Sequence, residues 1–316
     1  MSTDEMASTG QPVVVGFDGS TGAASATDWA AEEAAKRGCP LLIVHAFDWT
    51  PPVLAAGWTG TDWTAEGRVR ELANERLLAL AEQYRSARPG LEVRTSMPDG
   101  RAERTLPAIA EEQKSQLLVL GSAGLSALPR ALLGSTAGET VRTARVPVLV
   151  VRGDTGGDGE QGPVVVGADG SPASDRAVDF AFDFAARHGL PVRAVHAWSD
   201  SPLDLMEPAH TGESQADPVE ADEPVHRQIT ARQREFPDVP VRWERVADRP
   251  AHALLTHAQD ATLVVVGCLP RLGQPRRALP LPLPGSPPPH PRLTTRLCSS
   301  RARVGSFRGR LCSSRA

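Results

Sequence analysis

Apolar residues follow two alternating rhythms along the chain. Short unbroken runs rich in Val, Leu and Ile occur at 13–17, 41–46, 117–120 and 146–151. Between them lie longer stretches with helical spacing, such as 24–37 and 65–85. Unbroken apolar strands alternating with helices predict a parallel sheet covered on both faces. The pattern places strands near 12–17, 40–46, 91–96, 116–121 and 146–151, and helices near 22–37, 65–87, 101–114 and 136–144. Right-handed crossovers make this a doubly wound open sheet of the α/β class.

The rhythm then repeats. PVVVGFDGS at 12–20 returns as PVVVGADGS at 163–171, with eight of nine positions matched 151 residues later. Val44-His45-Ala46 returns as Val195-His196-Ala197, and LLVLGS at 117–122 has its counterpart in LVVVGC at 263–268. Three matches in one order predict a tandem duplication. Second-copy strands are expected near 163–168, 191–197, 239–246 and 261–266. Residues 152–162 hold five Gly and no apolar side chain, and read as a linker. Residues 199–224 are acidic and contain Pro, and read as a mobile loop. Ser171-Pro172 predicts a helix start with proline in the first turn. Thr136 and Glu139 have the spacing of a capping box.

After Gly267 the pattern stops. The last 49 residues hold nine Pro and ten Arg with no Asp, Glu or Lys, and RLCSSRA occurs twice, at 296–302 and 310–316. Proline at this density fits neither helices nor central strands. The expected organisation is a domain at 1–151, a linker at 152–162, an incomplete second domain at 163–267 lacking the last strand, and a disordered tail at 268–316. The abrupt change of composition suggests a shifted reading frame.

Charge and composition narrow the classes. The net charge of −4 divides into a basic tail and a body of −14, from 24 basic and 38 acidic residues. An acidic body argues against general nucleic-acid binding, which depends on neutralising phosphates. No apolar run approaches the roughly 20 residues that span a membrane. The first residues lack the basic and apolar segments of a secretory signal. Four Cys exclude a disulfide scaffold, and a cytoplasmic location is expected.

The segment VLGSAGLSALPRALLGST at 119–136 carries the candidate chemistry. Gly121 closes a strand, Gly124 follows, and Gly134-Ser135 opens a helix after nine intervening residues. Glycines at 121 and 124 let backbone approach a ligand without a Cβ. Gly134, Ser135 and Thr136 offer N–H groups and two hydroxyls at a helix N-terminus, which attracts phosphate. Asp18 ends the first strand. Ligands of open α/β sheets bind at carboxyl strand ends, at a topological switch point. If the first and fourth strands are neighbours, Asp18 and the Gly121 loop flank that crevice, where a carboxylate suits a ribose hydroxyl. The strand end His45-Ala46-Phe47 could pack a base. The plainer reading gives Asp18 and Ser20 a capping role alone and leaves His45 and His196 as packed or solvated residues. A Walker A lysine, a dinucleotide-binding third glycine and a nucleophile elbow are all missing.

The G-x2-G-x9-G-S spacing at 121–135, the opening VVVGFDGS and the VHA of the second strand resemble the universal stress protein family, in its tandem form. The resemblance covers 12–151 in full and 163–267 in part. It implies Rossmann-like parallel sheets of order 3-2-1-4-5 and ATP binding, with Mg²⁺. By position, Gly16, Phe17, Asp18 and Ala46 would hold base and ribose. Gly121, Ser122, Gly124, Gly134, Ser135 and Thr136 would hold the phosphates. The second copy keeps Asp169 and Gly267 but has Pro270 and Pro280 at the next two glycine positions, so one nucleotide per chain is expected. The resemblance also implies a homodimer through strand 146–151. The function expected is that of a stress-response, ATP-binding regulatory protein with at most slow hydrolysis. The alternative is a nucleotide-independent association module.

Overall fold

The structure is a computed structural model that describes residues 10–49, 63–122, 134–152, 162–198, 218–267 and 303–306. The described residues fall into two compact units, 10–152 and 162–306. In the first, β1 (Val13–Gly16), β2 (Leu41–Val44), β3 (Val93–Ser96), β4 (Leu117–Gly121) and β5 (Val148–Val151) form a parallel sheet in the order 3-2-1-4-5. Helices α1 (Thr21–Arg37), α2 (Trp63–Ala87), α3 (Ala102–Glu112) and α4 (Ser135–Thr143) alternate with the strands. The Val, Leu and Ile runs are buried because helices cover the sheet, and Val13, Val15, Leu41, Leu117 and Leu149 are wholly inaccessible.

Helix α1 lies close to the sheet because its inner face is built of small residues. Ala23, Ala26, Ala30, Ala31 and Ala34 are all buried. Ser20 caps its start, accepting a bond from Ala23 N at 3.1 Å, and Gly38 ends it in the left-handed region at φ 62°. Near its C-terminus the buried Glu33 accepts from Arg37 Nε at 2.5 Å, and Arg37 also donates to Gln116 at 3.1 Å.

The second unit repeats the order. β6 (Val164–Gly167) lies between β7 (Val192–Ala197) and β9 (Leu263–Val266), and β8 (Val241–Val246) adds to β7, all parallel. Helices α5 (Pro172–His188), α6 (Pro218–Glu235) and α7 (Pro250–His257) connect them. Ser171 and Pro172 open α5 as expected, the serine hydroxyl accepting from Ser174 N at 3.1 Å. The parallel fifth strand is missing among the described residues. A strand from the tail, β10 (Arg303–Ser306), instead runs antiparallel along β9. It falls in a proline-free stretch, a signal the proline count over the whole tail obscured. The rest of the tail lies outside the described residues.

Two local expectations are corrected. Residues 218–224, read as part of a mobile loop, belong to α6. Acidic residues are tolerated there because the buried Asp222 pairs with Arg245 and lies beside His196. The capping box does not form. Gly134 is the N-cap of α4, no side chain caps it, and Glu139 pairs with Arg142. A glycine cap shifts the helix start by two residues, so Thr136 stands inside the helix rather than before it.

Both copies tie their first two helices together at one place with different chemistry. In the first, Tyr84 of α2 donates to Asp28 of α1 at 2.6 Å. In the second, Arg232 of α6 pairs with Asp179 of α5, 151 residues after Asp28. Burial, reinforced by the bond to Asp28, raises the Tyr84 phenol well above its usual range. Tyr84 is the chain's one tyrosine, so ultraviolet titration reports on it directly. Its ionisation is expected above about 10 in the folded chain and near 10 on unfolding. The unfolded chain loses this proton first, so stability falls as pH rises past about 10. An ordinary tyrosine titration in folded protein contradicts the buried tie.

Candidate functional site

The strand order puts β1 between β2 and β4, so chain connections leave β1 on opposite sides. The carboxyl ends of β1 and β4 then bound a crevice. A cavity of about 290 Å³ opens there. It is lined by Gly16 at the end of β1 and Phe17 and Asp18 after it, His45 and Ala46 after β2, Gly121 at the end of β4, and Gly134, Ser135 and Thr136 at the start of α4. Val44, Leu106, Leu120 and Ala137 supply apolar surface. Eight of the ten residues expected at a ligand site therefore converge on one cavity. Ser122 does not line it, and Gly124 lies outside the described residues. Ser122 joins the two halves of the motif instead. Its N–H donates to Val151 O, and its carbonyl accepts from Gly134 N at 2.8 Å.

That last bond changes the expected role of Gly134, whose N–H is used within the protein. The first turn of α4 offers the N–H groups of Ser135, Thr136 and Ala137, which have no intrahelical acceptor. Gly134 contributes as an uncapped N-cap with no side chain over the helix end.

Gly121 is also read differently in the structure. A Cβ there would stand 2.6 Å from the backbone C and O of Gly22 in α1. The glycine is required by helix packing, whatever binds in front of it. Gly267 repeats this in the second unit, where a Cβ would come within 2.3 Å of Ala173 O. The copy without the later glycines keeps this one because the fold needs it. Gly16 faces side chains, with Leu106 and Leu120 atoms at 2.8 and 2.9 Å from its ideal Cβ.

Asp18 forms a turn. Its Oδ1 accepts from Ser20 N at 2.9 Å, and Gly19 between them has φ 85°. Asp169 repeats the bond to Ser171 N at 2.9 Å, with Gly170 at φ 78°. Ser20 thus caps α1 as expected, and Asp18 closes the turn before it. Asp18 remains exposed at the cavity mouth.

The second-strand end divides between the two expectations. His45 and Ala46 line the cavity, and the His45 ring is held by Nδ1 at 2.9 Å from Phe17 O. Phe47 does not line it. It is buried beneath the Arg70 guanidinium, 4.3 Å from ring centroid to Cζ, and bridges Asp99. The Arg70 guanidinium over the ring is a cation–π contact. Sequence reasoning also missed Leu106 and Ala137, because helical periodicity marks them as inward but not as cavity wall. The described lining contains one carboxylate, Asp18, and no Lys or Arg. Among the described residues no cluster of His, Cys, Asp and Glu could hold a metal, and no helix is long and apolar enough to cross a membrane.

The sequence model described as "Universal stress protein family" matches residues 10–152 and 162–279. The chain belongs to this family. A universal stress protein of Mycobacterium tuberculosis strain H37Rv is 38% identical over 262 residues, which cover 81% of this chain and 86% of that one. The crystal structure of a universal stress protein from Archaeoglobus fulgidus covers 82% of this chain and 87% of its own, at TM-score 0.61 and 19% identity, and shows the same fold. Another from that organism, solved in complex with dAMP, covers 44% of this chain and 96% of its own, at TM-score 0.32 and 24% identity.

The two Asp-Gly-Ser turns allow a test independent of ligand. Asp18→Ala is expected to cost about 1 kcal/mol in unliganded protein by loss of the turn bond. Asp169→Ala is expected to cost a similar amount. Urea unfolding without nucleotide measures both, and an unchanged midpoint for Asp18→Ala contradicts the structural role.

Proposed function

We propose that the first unit binds an adenine nucleotide, ATP with Mg²⁺, in a cytoplasmic stress-response protein that acts by regulated association. The observation that carries this reading is the convergence of Asp18, Gly121 and the start of α4 on one cavity at the switch point. Family membership supports the stress-response part. Apolar side chains at the cavity wall suit a base, the exposed Asp18 carboxylate suits a ribose hydroxyl, and the first turn of α4 suits phosphate. With no cation in the described lining, phosphate charge is met by the helix dipole and by Mg²⁺. The ion would arrive bound to the phosphates and water, since the described residues provide no carboxylate cluster. Little here would speed hydrolysis, so the nucleotide acts chiefly by occupancy. Association would run through a homodimer contact of strand 146–151.

The test is thermal melting with and without Mg·ATP in the full chain and in Gly134→Asp. Aspartate is a good N-cap, so the variant folds while placing negative charge where phosphate would bind. Ligand at a hundredfold excess over Kd adds about 2.7 kcal/mol to the native state. A rise in melting temperature is expected for the parent chain and none for Gly134→Asp. No rise in either at millimolar ATP would favour the nucleotide-independent association module.

A further inference from the structure

The second unit's crevice differs from the first in what lies across it. In the first unit an added Cβ on Gly19 would meet nothing within 4 Å. In the second, a Cβ on Gly170 would stand 2.8 Å from Pro224 of α6. Gln228 of α6 donates to Ser171 O at 3.1 Å, and its side-chain oxygen lies 3.0 Å from the Ser174 hydroxyl. Helix α6 is thus seated on the Asp-Gly-Ser turn whose first-copy counterpart opens to the cavity.

One more tie fastens this helix, and its chemistry depends on a proton. His196 of β7 lies 2.7 Å through Nδ1 from Ala168 O. A carbonyl only accepts, so Nδ1 carries the hydrogen. In the neutral ring Nε2 is then an acceptor. It lies 3.5 Å from Asp222 Oδ1 of α6, a buried oxygen with no hydrogen-bond donor among the described residues. Asp222 Oδ2 is met by Arg245 Nε of β8 at 3.0 Å. The neutral imidazole presents a lone pair to a carboxylate, and the imidazolium presents an N–H. Both side chains are nearly nine-tenths buried, which limits screening by water.

We propose that His196, Asp222 and Arg245 form a protonation-dependent latch that fastens α6 across the strand ends of the second unit. Proton uptake on His196 Nε2 completes a second link to Asp222, beside the permanent one from Arg245. The latch is complete when His196 carries a proton on both ring nitrogens and loosens when Nε2 loses its own. Among the described residues the first copy shows no equivalent. Its helix α2 ends at Ala87 and α6 at Glu235, 148 residues apart, which sets Asn74 in the place of Asp222. His45 keeps the bond to Phe17 O, and no ion pair of His45 with an acid is seen among the described residues.

The other histidines and acids of these elements have partners of their own. His226, also on α6, lies edge-on to Trp243, and Glu223 pairs with Arg227. Asp169 is bound to Ser171 N. His252 pairs with Asp248, and His257 with Glu244. His188 stacks on Phe184.

Hydrogen exchange of the full chain, read by mass spectrometry on peptides from 218–235 between pH 5.5 and 7.5, tests the latch. After correction for intrinsic exchange, protection of α6 is expected to fall as pH rises, on the order of fivefold, the upper range of single ion pairs. His196→Gln and Asp222→Asn should each abolish this dependence, and His226→Gln and His257→Gln should leave it intact. Should a latch variant fail to fold, imidazole NMR of the parent chain decides. His196 Nε2 gaining a proton over this range, in step with α6 protection, supports the latch. Protection of α6 that does not change with pH, or a dependence surviving in either latch variant, overturns it.

Discussion

The approach of the first helix to the end of the fourth strand governs the rest of each unit. Backbone of α1 meets β4 so closely that only glycine fits at 121, and α5 imposes the same on Gly267. This contact follows from the alanine face of α1, which lets the helix lie low on the sheet. It brings the Asp-Gly-Ser turn against the end of β4 and sets the width of the crevice. Ser122, one residue on, ties β5 to the start of α4 and so fixes the crevice's other wall. The site geometry is a consequence of packing, and the glycines nearest it serve the fold first.

The internal repeat separates what the fold requires from what a ligand would require. The turn aspartate, the strand-end glycine and the histidine bonded to its neighbouring strand occur in both units. They are the structural set. Among the described residues, the Gly134-Ser135-Thr136 helix start and the space over Gly19 are seen in the first unit alone. The second has replaced that space with Pro224 and Gln228 of α6. A similar exchange occurs between the helices, where the buried Tyr84–Asp28 bond becomes the Arg232–Asp179 ion pair. The duplicated architecture has kept its joints while changing their chemistry.

Much of the fold was legible because it rests on local rhythm. Unbroken valine runs, helix-spaced alanines and the 151-residue repeat give the strands, the helices and the α/β class directly. Convergence of Asp18 with Gly121 and Gly134 was legible too, since motif spacing and strand-end position are sequence properties. What escaped depends on contacts between distant residues. Phe47 sits under Arg70, and Gly134 N bonds to Ser122 O. The helical start of α6 depends on Asp222 finding His196 and Arg245, partners that no local pattern names. Thr136 and Glu139 fit a capping box by spacing alone, and the glycine cap at 134 displaced it.

The proposed site in the first unit implies one nucleotide per chain. Isothermal titration of the full chain with Mg·ATP measures this most directly. The account predicts a stoichiometry of one nucleotide per chain, lost on Gly134→Asp. Two equivalent sites, or one site that survives Gly134→Asp, would contradict it.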